Sequence, residues 1–88
     1  MLTEAERERL VMLMEECGEI IQACAKILRF GRDSVDPRTG VVNGDNLRDE
    51  LDDLDGIHWA MRLAGDIPTA NTEPRSVWER KLKWTKWQ

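Results

Sequence analysis

Apolar residues recur at intervals of three and four along most of this chain, from LVMLMEECGEIIQACAKIL near its start to LDDLDGIHWAM further on. This spacing places apolar side chains on one face of an α-helix, whereas a half-buried strand needs strict alternation. β-branched residues are sparse, and GVVNG is the one short cluster typical of a strand. The sequence therefore predicts an all-α fold.

A first helix is expected to run from Thr3 to Phe30. Thr3 is a natural N-cap and Glu6, three residues later, completes a capping box, while Gly31 provides the stop. The expected apolar stripe of this helix is Leu10, Leu13, Cys17, Ile20, Cys24 and Ile27, flanked by Met14, Ile21 and Leu28.

Two further helices follow a polar loop, GRDSVDPRTGVVNGD. The second is expected to begin with Asn46 as its N-cap and to end at Ala64, before Gly65. A third should cover residues 75–86, either capped by Thr72 or entered at Pro74. The expected apolar row of the second helix is Leu47, Leu51, Leu54, Ile57, His58 and Met61.

The 88 residues are expected to form a single domain, residues 1–88. A chain of this size buries only about 60–65% of the surface exposed by its unfolded form, so its core is modest. Three helices with wide apolar faces do not close a bundle alone, which favours completion by oligomerisation, as a homodimer or homotetramer. A bend near Gly18 that divides the first helix into two is the alternative.

Composition limits the kinds of partner and the cellular compartment that are expected for this chain. The net charge of −4 argues against a nucleic-acid partner, and no apolar run approaches the roughly 20 residues of a membrane span. Because MLTEAERERL lacks the apolar segment of a signal peptide, we expect a cytoplasmic protein with reduced thiols. Cys17 and Cys24 lie about 10 Å apart along one helix face, too far for a disulfide, and are expected to be buried in the core.

Acidic side chains interrupt the apolar pattern of both long helices. Glu16 and Glu19 should project side by side from the border of the first stripe, with Glu15 turned further out. In the second helix, Glu50 falls inside the apolar face and Asp53 lies at its margin. A carboxylate among leucines costs several kcal/mol unless it is protonated, paired or bound to a metal, and no basic residue shares that face.

Antiparallel packing of the two helices would bring these four carboxylates together, where they repel one another unless a hard cation lies between them. Oxygen ligands favour Mg²⁺, or Mn²⁺ in its place. Charge and periodicity alone leave two other interpretations open. One is a solvated acidic edge on an ordinary helix pair, and the other is an acidic surface that binds a partner or a structural cation.

Two acidic motifs, EECGE at residues 15–19 and ELDD at residues 50–53, resemble the EExxE and ExxD motifs of the MazG-like all-α nucleoside triphosphate pyrophosphohydrolases. ACAKILRFG and NLRDELDDL are similar to the small phage-type members, so the resemblance covers residues 8–65. It implies magnesium-dependent hydrolysis of a nucleoside or deoxynucleoside triphosphate to the monophosphate and pyrophosphate, in the host cytoplasm if the protein is phage-encoded.

Carried over by motif position, the resemblance implies that Glu16, Glu19, Glu50 and Asp53 are the metal ligands. Either Glu15 or Glu19 would act as the catalytic base for the attacking water. The chain departs from the family in two respects: thirty residues separate Glu19 from Glu50, and Asp52 stands where many relatives have a glycine.

Several other residues have both a functional and an ordinary interpretation. Some basic side chains follow the first motif or lie in the third helix: Lys26, Arg29, Arg32 and Lys81. They could bind the outer phosphates of a nucleotide, or they could simply be solvated. His58 is expected to be a core histidine, with a contact to the base as the minor alternative. Trp59 is expected to pack, or else to stack on the base, and Trp78 is expected to form a core stripe with Leu82.

Overall fold

The first helix, α1, spans Glu4–Phe30 in the computed structural model, which describes residues 1–88. The predicted capping box is confirmed: the Glu6 amide donates to the Thr3 hydroxyl at 3.1 Å, and the Thr3 amide donates to the Glu6 carboxylate at 3.2 Å. Gly31 ends the helix with φ +96°, in the left-handed region that favours glycine. The helix passes through Gly18 without interruption, so the two-helix alternative is wrong.

The second helix, α2, spans Asn43–Ala64 and begins three residues before the predicted N-cap, Asn46. The amides of Asn43 and Gly44 donate to the loop carbonyls of Ser34 and Arg32, each at 2.9 Å. These bonds satisfy first-turn donors that otherwise need a capping side chain, so the helix extends back into GVVNG. Gly65 ends it in the left-handed conformation, as predicted.

The third helix, α3, spans Pro74–Lys81 and is followed by a 3₁₀ turn at Leu82–Trp84. Entry at Pro74 is confirmed, whereas the predicted extension to residue 86 is wrong. The hydroxyl and the amide of Thr85 both donate to the Leu82 carbonyl, at 2.7 Å and 3.0 Å, so the chain leaves the helical path there.

The two long helices pack against each other in antiparallel orientation. Near one end, Arg9 of α1 makes a bidentate ion pair with Asp66, which follows α2, with N–O distances of 2.5 and 2.9 Å. At the other end, the Asn43 side chain donates to the Gly31 carbonyl at 3.1 Å. These contacts fix the register of α1 against α2, while α3 packs on neither.

The core between the long helices is small. Ala23 and Met61 are buried, and the surrounding side chains are half-buried: Leu13, Ile20, Ile27, Leu47, Leu54 and Ile57. Cys17 and Cys24 are exposed, so their predicted burial is wrong within one chain. The reason is that α2 packs on the line through Leu13 and Ile20, about 40° round α1 from the cysteines.

The fold is all-α with three main helices, as the apolar periodicity predicts. GVVNG forms no strand: its Val42 makes an isolated antiparallel bridge with Val35, and its last two residues begin α2. None of the helices combines the length and the apolarity needed to cross a membrane.

Candidate metal centre

Three of the four predicted metal ligands come together in the groove between α1 and α2. One carboxylate oxygen each from Glu16, Glu50 and Asp53 lies within 4.8 Å of the other two. Antiparallel packing produces this arrangement because Glu16 is near the middle of α1 and Glu50 is near the middle of α2. Glu16 and Glu50 are half-buried and Asp53 is exposed, so the cluster opens towards solvent on the Asp53 side.

Two buried oxygens in this cluster have no hydrogen-bond partner. They are Oε2 of Glu16 and Oε2 of Glu50, and no other buried side-chain nitrogen or oxygen in the chain lacks a partner. A buried polar atom without a partner loses its hydration and gains nothing in return. The two atoms therefore mark a place where the folded chain lacks a bonding partner.

The pKa of Glu50 is raised to about 7, mainly by a hydrogen bond shared with Glu19 and then by burial. The negative charges of Glu19, Glu16 and Asp53 raise it further. Each effect favours the neutral acid, because an added negative charge is opposed both by burial and by the neighbouring carboxylates. Without a cation, Glu50 is thus partly protonated near neutral pH.

The pKa of Glu16 is raised as well, chiefly by burial and then by the charges of Glu19 and Asp53. A hydrogen bond with Glu50 acts in the opposite direction. The two pKa values are linked because Glu16 and Glu50 compete for the same protons. The cluster thus holds more negative charge than its surroundings stabilise.

Glu19 and Glu15 lie nearer to solvent. Glu19 is exposed and outside the group of three oxygens, yet its carboxylate is beside Glu50, as its effect on the pKa of Glu50 requires. Glu15 is exposed and acts on the cluster only through a weak charge effect on Glu16. Glu19 thus adjoins the group of three carboxylates without belonging to it, and Glu15 lies at the rim of the cluster.

The basic residues predicted to bind phosphate are differently placed. Lys26 is engaged in an ion pair with Asp36, with Nζ and Oδ2 2.8 Å apart, so it is not a free cation. Arg29 is exposed, and its guanidinium lies 5.4 Å from the centre of the Phe30 ring. Arg32 is also exposed, and its carbonyl accepts a hydrogen bond from the Gly44 amide. Lys81 lies on α3, which packs on neither long helix.

A cavity of about 740 Å³ lies between the last turns of α1 and the loop that follows. Lys26 and Arg29 line it together with Phe30, and Gln22 extends it towards the carboxylates. Gln22 is three residues from Glu19, which is about 4.5 Å along the helix axis. The cavity therefore starts about one turn from the acidic cluster.

His58 and Trp59 lie on the outer part of α2 and are exposed. Within one chain the prediction of a core histidine is wrong, because the face of α2 that packs on α1 runs through Leu54, Ile57 and Met61 instead. The predicted packing of Trp59 and the predicted core stripe of Trp78 and Leu82 are also wrong within one chain, since all three side chains are exposed.

Two ion pairs that the sequence does not predict lie on either side of the acidic cluster. Asp36 is buried and accepts from Lys26 and from the Arg38 amide, and these bonds lower its pKa to about 2. At the opposite end, the Arg9 ion pair lowers the pKa of Asp66. The only signal for Asp36 is its position before Pro37 in the loop, and nothing in the sequence links Arg9 to Asp66.

Comparison with known proteins identifies no relative of this chain. No protein family, no curated protein and no solved structure matches the chain. Any functional assignment therefore depends on the chemistry of the site and on the two acidic motifs.

The donor set fits a hard divalent cation. All of its members are carboxylates, the ligands that Mg²⁺ and Mn²⁺ prefer. The two partnerless oxygens would supply the buried side of a coordination shell, and the exposed Asp53 would leave the other side open to a ligand from solvent. A soft cation such as Zn²⁺ fits less well, because neither cysteine belongs to the group of residues that come together.

Proposed function

We propose that this protein is a magnesium-dependent nucleoside triphosphate pyrophosphohydrolase. It would hydrolyse a nucleoside or deoxynucleoside triphosphate to the monophosphate and pyrophosphate, and so adjust the nucleotide pool. The observation that carries the proposal is Glu50, whose buried oxygen has no partner while three other carboxylates surround it. The resemblance of EECGE and ELDD to the MazG-like motifs supports the same reaction.

Glu16, Glu50 and Asp53 would hold the cation, with Glu19 as the fourth ligand beside Glu50. When bound, Mg²⁺ supplies positive charge for phosphate oxygens and for the charge that develops in the transition state. Mn²⁺ would substitute for Mg²⁺ because it accepts the same oxygen ligands. The carboxylates in turn would be held in register by the Arg9–Asp66 pair at one end of the helices and the Asn43–Gly31 contact at the other.

The proton of the attacking water would be taken up by Glu15 or Glu19. Glu15 is exposed at the rim of the cluster, whereas Glu19 is close enough to Glu50 to raise the pKa of that carboxyl. Glu15→Gln and Glu19→Gln separate the two roles. Loss of the base lowers kcat and leaves cation affinity intact, whereas loss of a ligand lowers cation affinity.

The outer phosphates would extend from the carboxylates towards the cavity that Lys26 and Arg29 line. Arg29 supplies positive charge there, because Lys26 already neutralises Asp36. Arg32, and Lys81 from a second copy, are further phosphate contacts in this proposal. Trp59 and His58 are exposed on α2. His58 would offer a hydrogen bond to the base, whereas Trp59 lies about 180° round α2 from Glu50 and would stack on a base only at the site of a second copy.

The active form would be a homodimer or homotetramer in the cytoplasm, where the nucleotide pool is found. Ala23 and Met61 are the only buried apolar residues of the single chain, which is little for a stable bundle of 88 residues. Further copies would complete the helical bundle. A membrane or a nucleic acid has no part in the proposal.

Incubation with each of the eight common NTPs and dNTPs plus Mg²⁺, followed by separation of the products, tests the reaction. The proposal predicts a monophosphate together with pyrophosphate, and no products once the cation is chelated. Release of orthophosphate would overturn the reaction type. Failure to turn over any nucleotide, including modified ones, would overturn the class.

The second function is a non-catalytic helical oligomer whose acidic cluster binds a structural cation or a partner. The observation that favours it is the large exposed apolar surface, which suits an assembly whether or not chemistry takes place. It predicts cation binding and self-association without turnover. The product analysis therefore separates the two functions.

A further inference from the structure

One apolar stripe on α1 has no partner within the chain. We define the outer stripe as six residues on one helical face, all of them exposed: Leu10, Met14, Cys17, Ile21, Cys24 and Leu28. Met14 is 72% exposed, Ile21 69% and Leu28 87%. The stripe runs for about 27 Å along the helix, a long contact surface for an 88-residue protein.

The outer stripe has the same spacing in both chain directions. Its members are separated by four, three, four, three and four residues. Steps of three and four form the seam along which two helices pack side by side. Because the series is symmetric about position 19, an antiparallel copy of α1 presents the same pattern, as a two-fold axis requires.

The charges of α1 also favour an antiparallel copy. Residues 4–19 contain six glutamates and two arginines, whereas Lys26 and Arg29 are the only charged residues between Ile20 and Phe30. A parallel pair would set the acidic halves against each other. An antiparallel pair sets the acidic half of each helix beside the basic half of the other, and it also opposes the two helix dipoles.

The outer stripe lies away from the carboxylates. At 100° per residue, Glu19 is about 180° round α1 from the centre of the stripe. A partner on the stripe therefore leaves Glu16 and Glu19 free to act with α2. Covering the stripe and occupying the acidic cluster are separate events.

We infer that the outer stripe of α1 is a two-fold interface on which a second copy of this chain packs its own α1 in antiparallel orientation. Leu10 then meets the partner's Leu28, Met14 meets the partner's Cys24, and Cys17 meets the partner's Ile21. The inference rests on the assembly proposed above and not on the proposed chemistry.

Sedimentation equilibrium tests the interface with Ile21→Glu and a matched control, Leu63→Glu. Ile21 and Leu63 are both exposed apolar residues, 69% and 73%, but Leu63 lies on α2 outside the stripe. We expect multiples of 10.2 kDa for the native sequence and for the control. Ile21→Glu should weaken association by at least about 100-fold, because two charges would be buried without partners. A monomeric native protein, or unchanged association of Ile21→Glu, would overturn the inference.

Cross-linking tests the orientation in a variant that adds no charge to the interface. Met14→Cys combined with Cys17→Ser leaves thiols at positions 14 and 24, which face each other only in the antiparallel pair. Mild oxidation should give a covalent dimer whose linked peptides join position 14 of one copy to position 24 of the other. Adding Cys24→Ser should abolish it. A dimer that persists through a bond between two copies of position 14 would show parallel pairing and overturn the inference.

Discussion

Glu16 of α1 and Glu50 of α2 each bury one carboxylate oxygen without a hydrogen-bond partner. The two residues belong to the same acidic cluster, and the pKa of each is raised. A folded chain stabilises such a pair only by a proton or by a cation. This relationship is the reason to propose a cation in the groove rather than an ordinary solvated edge.

Glu50→Gln is expected to abolish cation-dependent turnover. Mutation of a residue that only hydrogen-bonds a metal ligand typically lowers metal affinity or activity by roughly 10–100-fold. Loss of a ligand itself should therefore reduce kcat/KM by more than about 100-fold. Asp52→Asn is the control, because Asp52 is exposed on the same helix and does not belong to the cluster. Steady-state rates at several Mg²⁺ concentrations measure the effect, and full activity of Glu50→Gln would refute the ligand assignment.

The cation-free protein is expected to lose stability as the pH rises from about 4.5 to about 7. The pKa of Glu50 is raised from 4.5 to about 7, so within this window the folded state keeps a proton that the unfolded state has released. The free energy of unfolding then falls with pH. Glu50→Gln should remove much of this fall, measured by urea unfolding in a chelator at each pH. Parallel profiles for the two proteins would contradict the prediction.

Asp36→Asn is expected to destabilise the protein at pH 7, because the Asp36 carboxylate forms an ion pair with Lys26 of α1 and accepts a hydrogen bond from the Arg38 amide in the loop. The pKa of Asp36 is lowered from 3.8 to about 2, so its contribution is complete above 3.8 and is lost as the pH falls towards 2. The difference in stability between Asp36→Asn and the native protein should therefore shrink as the pH falls from 3.8 towards 2. Asp33→Asn in the same loop is the control, since Asp33 is exposed and makes no ion pair. Thermal unfolding followed by circular dichroism gives the comparison, and an equal effect of both variants would count against the role of Asp36.

Met61→Ala should lower the free energy of unfolding by about 2–5 kcal/mol, the range for a buried methionine. Met61 is 2% exposed between the long helices, whereas Leu63, two residues on, is 73% exposed. Leu63→Ala should change stability by less than about 0.5 kcal/mol. Urea unfolding at one protein concentration measures both. A smaller loss for Met61→Ala than for Leu63→Ala would mean that the core lies elsewhere.

The sequence was sufficient to predict the helices and helix ends whose signals lie within a few neighbouring residues. The apolar spacing, Thr3 with Glu6, and the stops at Gly31 and Gly65 all depend on neighbours within one turn, and all are confirmed. The convergence of Glu16, Glu50 and Asp53 was also predictable, because antiparallel packing through the apolar stripes brings these positions together, although the predicted fourth member, Glu19, lies outside the group.

Features that depend on tertiary contacts were not predictable. The loop carbonyls that extend α2 back to Asn43 belong to residues about ten positions away, and the Arg9–Asp66 pair spans 57 positions. The burial of Cys17 and Cys24 was wrong for a related reason. The apolar surface of α1 is wide enough for two partners, and periodicity does not tell which half packs on α2.

Titration of Mg²⁺ and Mn²⁺ into the protein is the most direct test of the acidic cluster as a metal centre. Calorimetry of the native sequence should show binding that is lost in Glu50→Gln and retained in Asp52→Asn. At pH 7 the binding should release protons, because the pKa of Glu50 is about 7 without the cation and a ligand must be ionised. Absence of binding to the native protein, or equal binding by Glu50→Gln, would contradict the metal centre and the reaction proposed for it.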